Sequence, residues 1–120
     1  FNNGANQAYL HLNGSWTNAS DIAYKKDIED ITYGIDTVKK LKPRKYKHKG
    51  SNNNDIGFIA QELESVVPEV VSGDDGSKGV SYGNLTAALT KALQELITKV
   101  ETLEQENIAL RARVTNLEGN

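Results

Sequence analysis

Between Asn84 and Gly119 the chain contains no glycine or proline. Over that stretch Leu89, Leu93, Leu96, Val100, Leu103, Leu110, Val114 and Leu117 follow one another in steps of three, four or seven. On a helix this spacing gives a narrow apolar stripe with a period of about 3.5 residues, which a second helix buries best. The heptad places Leu93, Val100, Asn107 and Val114 at a, and Leu89, Leu96, Leu103, Leu110 and Leu117 at d. A buried Asn107 at a weakens such a coil but fixes its register and strand orientation. Lys99 (g) with Glu104 (e) and Glu106 (g) with Arg111 (e) suit parallel chains. Residues 83–118 are therefore expected to form a coiled-coil helix, with Asn84 as its N-cap. Val at a with Leu at d leans towards two strands, a lean that a domain at the helix start can override. The competing reading is one amphipathic helix docked on its own domain, and the narrowness of the stripe over about four heptads argues against it.

A rod of this kind leaves little sequence for a core. Of 120 residues, 38% are hydrophobic, so an elongated or oligomeric form is expected over one compact core. Fourteen basic against 16 acidic residues leave a net charge of −2, no footprint for nucleic acid or an anionic membrane. The absence of cysteine removes disulfides, zinc–thiolate sites and a thiol nucleophile. His11 and His48 stand in unrelated contexts, so no metal site and no cofactor is expected. No apolar run reaches membrane-spanning length and no signal peptide is visible. A start at Phe1 suggests a piece of something longer.

Two further regions precede the rod. Residues 1–19 are rich in Asn and Gly, with a short alternating run, Ala8 to Leu12, before an Asn13-Gly14 turn signal. This stretch reads as the end of an upstream β structure, in which Tyr9 and Trp16 would pack. Residues 20–82 read as a small mixed α/β domain. Ile28, Ile31, Ile35, Val38 and Leu41 recur at helical spacing, giving a candidate helix over 28–41 that Gly34 interrupts and Pro43 stops. A strand with Tyr46 inward, the strand "IGFIA", a helix "AQELESVVP" closed by Pro68, and a hairpin around "GDDGSKG" follow.

Most single motifs carry no chemistry. In "GFIAQE", Phe58 and Ile59 read as core and Gly57 as a point of close packing. The basic run Lys39–Lys49 reads as a solvated or chain-gripping face. "GDDGSKG" lacks both calcium-loop and phosphate-loop spacing.

Taken in order, "SDIAYKKDIEDI", "GIDTVKKLKPRKYKHK", "IGFIAQELESVVPEVV" and "GVSYGNLTAALTKALQEL", followed by a coiled coil, resemble one family over about residues 18–117. It is the endosialidase-type intramolecular chaperone, the auto-processing C-terminal domain of phage tailspikes, tail fibres and neck appendages. Animal myelin regulatory factors carry a relative. The resemblance implies an α+β domain with a long coiled-coil helix, trimeric, at the end of a β-helical stalk. It implies partners: two further copies of the chain and the upstream β-helix of the same polyprotein chain, with no nucleic acid and no membrane. It implies that the domain holds three chains while the spike winds, then releases itself as a self-cleaving serine endopeptidase, in the host cytoplasm during phage assembly. The released domain would be absent from the mature virion.

By position the family's catalytic serine corresponds to Ser20 and its lysine to Lys25. A serine hydroxyl needs a base, and a lysine amine serves as one only when neutral. The usual lysine pKa is about 10.4, so burial or nearby cations must lower it. A spacing of five puts the two side chains on opposite faces of a strand and apart on a helix. A turn between them, or a contact between subunits, is therefore required. Attack on the preceding carbonyl closes a five-membered ring and favours the Ala19–Ser20 bond. Phage members of the family place the cut at the serine–aspartate junction, here Ser20–Asp21, and that bond is favoured. The competing function is a non-catalytic trimerisation or fibre-tip module that stays attached. A DNA-binding coiled coil is a weaker third reading, since Ser81–Thr90 holds no Lys or Arg to form a basic region.

Overall fold

The computed structural model describes residues 8–119, which fall into two compact units divided between Asp30 and Ile31. In the first, β1 (Ala8–Leu10) pairs antiparallel with β2 (Trp16–Asn18), Leu10 lying opposite Trp16. The turn follows from its residues. Gly14 takes φ 85°, and Asn13 Oδ1 accepts from Ser15 N at 3.1 Å and from Ser15 Oγ at 2.7 Å. The expected strand and turn are thus present, while residues 1–7 of the expected spike end lie outside the described residues. Tyr9 and Trp16 do not pack within this hairpin; both are exposed. A single 3-10 turn, Ile22–Tyr24, follows.

The helix expected over 28–41 is shorter. α1 spans only Ile35–Lys40, and Ile28 and Ile31 lie outside it and exposed. Asp27 adopts a left-handed φ of 52°, and the chain from Ile28 to Gly34 forms no regular element. The helical spacing of these isoleucines is thus not matched by helical backbone. α1 begins where its donors find an acceptor: Ile35 N donates to Glu95 Oε2 at 2.9 Å, 60 residues on. Gly34 is buried, and the three atoms nearest to a Cβ built there all belong to the Glu95 carboxylate. Leu41 is extended, as suits a chain approaching Pro43.

β3 (Arg44–Tyr46) pairs antiparallel with β4 (Asp55–Gly57), Lys45 opposite Ile56. Tyr46 is half-buried, as expected. The strand "IGFIA" ends early, at Gly57. Phe58 packs against the core, but Ile59 is exposed and precedes α2 (Ala60–Glu64). The backbone turns there because Phe58 N donates to Tyr82 Oη at 3.0 Å instead of continuing the ladder. A Cβ on Gly57 would collide with the Tyr82 and Tyr46 hydroxyls, so this glycine does permit close packing. Pro68 does not close α2. It opens a 3-10 turn, Pro68–Val70, where its missing N–H costs nothing. β5 (Val71–Ser72) and β6 (Gly79–Val80) form the expected hairpin, its loop turned by Gly73 (φ 96°) and Gly76 (φ 92°).

α3 runs unbroken from Tyr82 to Glu118. Its N-cap is Ser81 rather than Asn84; the Asn84 N–H donates back to Ser81 O at 3.2 Å, inside the first turn. Leu85, Ala88 and Ala92 share one face, and Leu85 and Ala88 join Leu63, Val67 and Val70 in the core. Tyr33, Leu41, Phe58, Val66, Val71 and Val80 close around that cluster. The described residues are α+β, with three two-stranded sheets and one long helix.

Polar pairs tie the rim. Arg44 grips Glu62 with two bonds, of 2.7 and 3.0 Å, which holds the Glu62 pKa below the usual carboxylate value. Lys78, largely covered, meets Glu64 at 3.0 Å, and that carboxylate pushes the lysine pKa up. Tyr33 donates to Glu69 at 2.8 Å, raising the phenol pKa.

Candidate processing loop and helical seam

Ser20 and Lys25 meet within one chain. Lys25 Nζ lies 2.6 Å from Ser20 Oγ and 2.9 Å from the Ser20 carbonyl oxygen. A turn between them resolves the spacing of five. Asp21 Oδ1 accepts from Ala23 N at 2.8 Å, Asp21 O from Tyr24 N at 3.1 Å, and Ile22 O from Lys25 N at 3.1 Å. Lys25 then leaves the turn extended, with its side chain folded back over the serine. The carbonyl it touches belongs to the Ser20–Asp21 peptide bond. Ala19 is half-buried, whereas Ser20, Asp21 and Lys25 are exposed, as are Ile22 and Tyr24 beside them. In the free chain, then, the pair has hydrogen-bond contact but stands in water.

Asp21 also shapes this loop, a role that the positions of Ser20 and Lys25 alone do not indicate. The signal was present: an Asp at the head of a short segment is a common Asx-turn former.

The second feature is the α3 seam. Leu89, Leu93, Leu96, Val100, Leu103, Asn107, Leu110, Val114 and Leu117 are all exposed in the single chain. Beyond Ala92 no residue of the helix is buried among the described residues. Ile35, Val38 and Lys39 of α1 line an apolar groove with Leu89, Ala92, Leu93 and Leu96, so the stripe broadens where it meets the domain. The basic run behaves as a solvated face: Lys39, Lys40, Lys42, Lys45, Lys47 and Lys49 are exposed. Among the described residues no cluster suited to a metal ion occurs, and no helix is long and apolar enough to cross a membrane.

The sequence is similar to known proteins. Residues 20–72 match a family classed among the peptidases and described as chaperone of endosialidase. The match begins at Ser20 itself. The chain is also 30% identical over 117 residues to the long tail fiber protein Gp37 of Enterobacteria phage K3, and equally to that of Enterobacteria phage T2. Each alignment covers 88% of this chain but 9% of the fibre protein.

Proposed function

We propose, from the match of residues 20–72 to the chaperone-of-endosialidase family, that the chain is an intramolecular chaperone of a phage tail fibre or spike that removes itself by cutting at Ser20. The single observation that carries this reading is the contact of Lys25 with Ser20 at the first residue of the family match. In the proposed reaction a neutral Lys25 amine takes the Ser20 Oγ proton as Oγ adds to a carbonyl carbon. The resulting ammonium returns that proton to the departing nitrogen, and water then hydrolyses the ester. The contact of Nζ with the Ser20 carbonyl favours the Ser20–Asp21 bond, because an N–H donated there stabilises the oxyanion as it forms. Ser20 Oγ reaches its own carbonyl only through a four-membered ring. Cutting that bond therefore calls for the hydroxyl of a second copy. Cutting Ala19–Ser20 needs only one chain.

Assembly supplies the missing condition. Three α3 seams packed together would bury the exposed leucines, with Asn107 setting the register. Covering the loop at Ile22 and Tyr24 would exclude water, the general route by which a lysine is made neutral. Cleavage then follows assembly instead of preceding it.

Intact mass measured beside sedimentation equilibrium tests both halves. The expected result is a trimer that yields a fragment starting at Asp21, with Ser20→Ala and Lys25→Ala trimeric but whole. A fragment starting at Ser20 moves the cut to Ala19–Ser20. A wild-type trimer that stays whole leaves the non-catalytic clamp as the function.

A further inference from the structure

We infer that Asp21 is a positioning residue, whose carboxylate folds the turn that carries Lys25 back to Ser20. This rests on the self-cleavage reading above. Extended, the five steps from Ser20 to Lys25 would span roughly 16 Å and point the two side chains to opposite faces. The chain instead reverses within Ile22–Tyr24. Three successive amides hold that reversal, those of Ala23, Tyr24 and Lys25, and two of them donate to Asp21. Packing does not hold it: none of Ile22, Ala23 and Tyr24 is buried. A turn with no buried residue competes with extended, hydrated conformers, so its population follows its local hydrogen bonds. Of these three amide bonds, the one from Ala23 N to the Asp21 side chain, at 2.8 Å, is the one that depends on residue type.

The role belongs to the acceptor oxygen and not to the charge. Asparagine offers the same oxygen at the same reach and performs like aspartate in caps of this kind, serine does so with a shorter arm, and alanine offers none. Losing such a cap shifts the local equilibrium by roughly tenfold. Cleavage, which needs the folded turn, slows accordingly.

The experiment follows cleavage of the 120-residue chain by intact mass over a pH series, for wild type, Asp21→Asn, Asp21→Ser, Asp21→Ala, Ser20→Ala and Lys25→Ala. Trimer content is measured in parallel. Asp21→Asn is expected to cleave within about threefold of wild type, Asp21→Ser to fall between, and Asp21→Ala to be roughly tenfold slower at every pH with an unmoved midpoint. Should Asp21→Asn be as slow as Asp21→Ala, or the midpoint shift in either, Asp21 acts through its charge and the inference is overturned. It is overturned alone if Asp21→Ala keeps the wild-type rate while Ser20→Ala and Lys25→Ala are blocked. Cleavage in Ser20→Ala, or none in wild type, defeats the self-cleavage reading, and the inference falls with it.

Discussion

Replacing Gly34 by alanine should change sign with the residue at position 95. In the native chain the new methyl would land on the Glu95 carboxylate and drive it from Ile35 N. That amide opens a helix of only six residues in a partly buried setting. Stranding such a donor costs about 1–3 kcal/mol. Against this stands a gain of about 0.4–1 kcal/mol, because alanine restricts the unfolded chain more than glycine does. Gly34→Ala alone should therefore destabilise by about 1–2 kcal/mol. Glu95→Ala alone removes the same acceptor and should cost a similar amount. In the Glu95→Ala background the nearest obstacles to the methyl are gone, so Gly34→Ala should be neutral or stabilising by about 0.5 kcal/mol. Urea unfolding of the four proteins at one fixed chain concentration measures the cycle, since the proposed assembly would make apparent stability depend on concentration. Simple additivity of the two substitutions would refute the account.

Other consequences are as direct. Leu85→Ala, which empties a core position 3% exposed, should cost about 2–5 kcal/mol in unfolding experiments. The Arg44–Glu62 pair should show in acid. Because the folded pKa of Glu62 is depressed, its stabilising effect is complete above the ordinary carboxylate value and is lost as pH falls through the lower folded one. The melting temperature of wild type should exceed that of Glu62→Gln at neutral pH, and the gap should close on acidification below about pH 4. In the trimer proposed above, Asn107→Val should raise the melting temperature while broadening the distribution of oligomers in sedimentation; a fall in melting temperature would show that Asn107 does not occupy a buried a position.

The parts legible in the sequence were those whose cause is local. α3 could be read because its stripe and its freedom from glycine and proline are properties of the segment itself, and the hairpins because Asn13-Gly14 and "GDDGSKG" dictate their own turns. The start of α1 could not be read, because its acceptor comes from Glu95. Ile28 and Ile31 keep a helical spacing that the backbone does not use, with Asp27 left-handed just before them. Ser20 and Lys25 are candidates through the family resemblance, but their contact was not legible, since spacing alone forbids it on either regular element. The early end of β4 depends on Tyr82, 24 residues beyond the amide it accepts from.

One helix carries both the core face and the seam, so their angular relation is fixed by the α-helical repeat. At about 100° per residue, Leu85 and Leu89 are offset by about 40°, as are Ala92 and Leu96. Adjacent but not coincident faces mean that any helix docked along the exposed stripe would leave the core domain to one side of it. With no glycine or proline between Asn84 and Gly119, the rod has no swivel to absorb an error. A single residue inserted between Ala92 and Leu96 would swing the domain by about 100° about the rod and carry the α1 groove out of line with the seam.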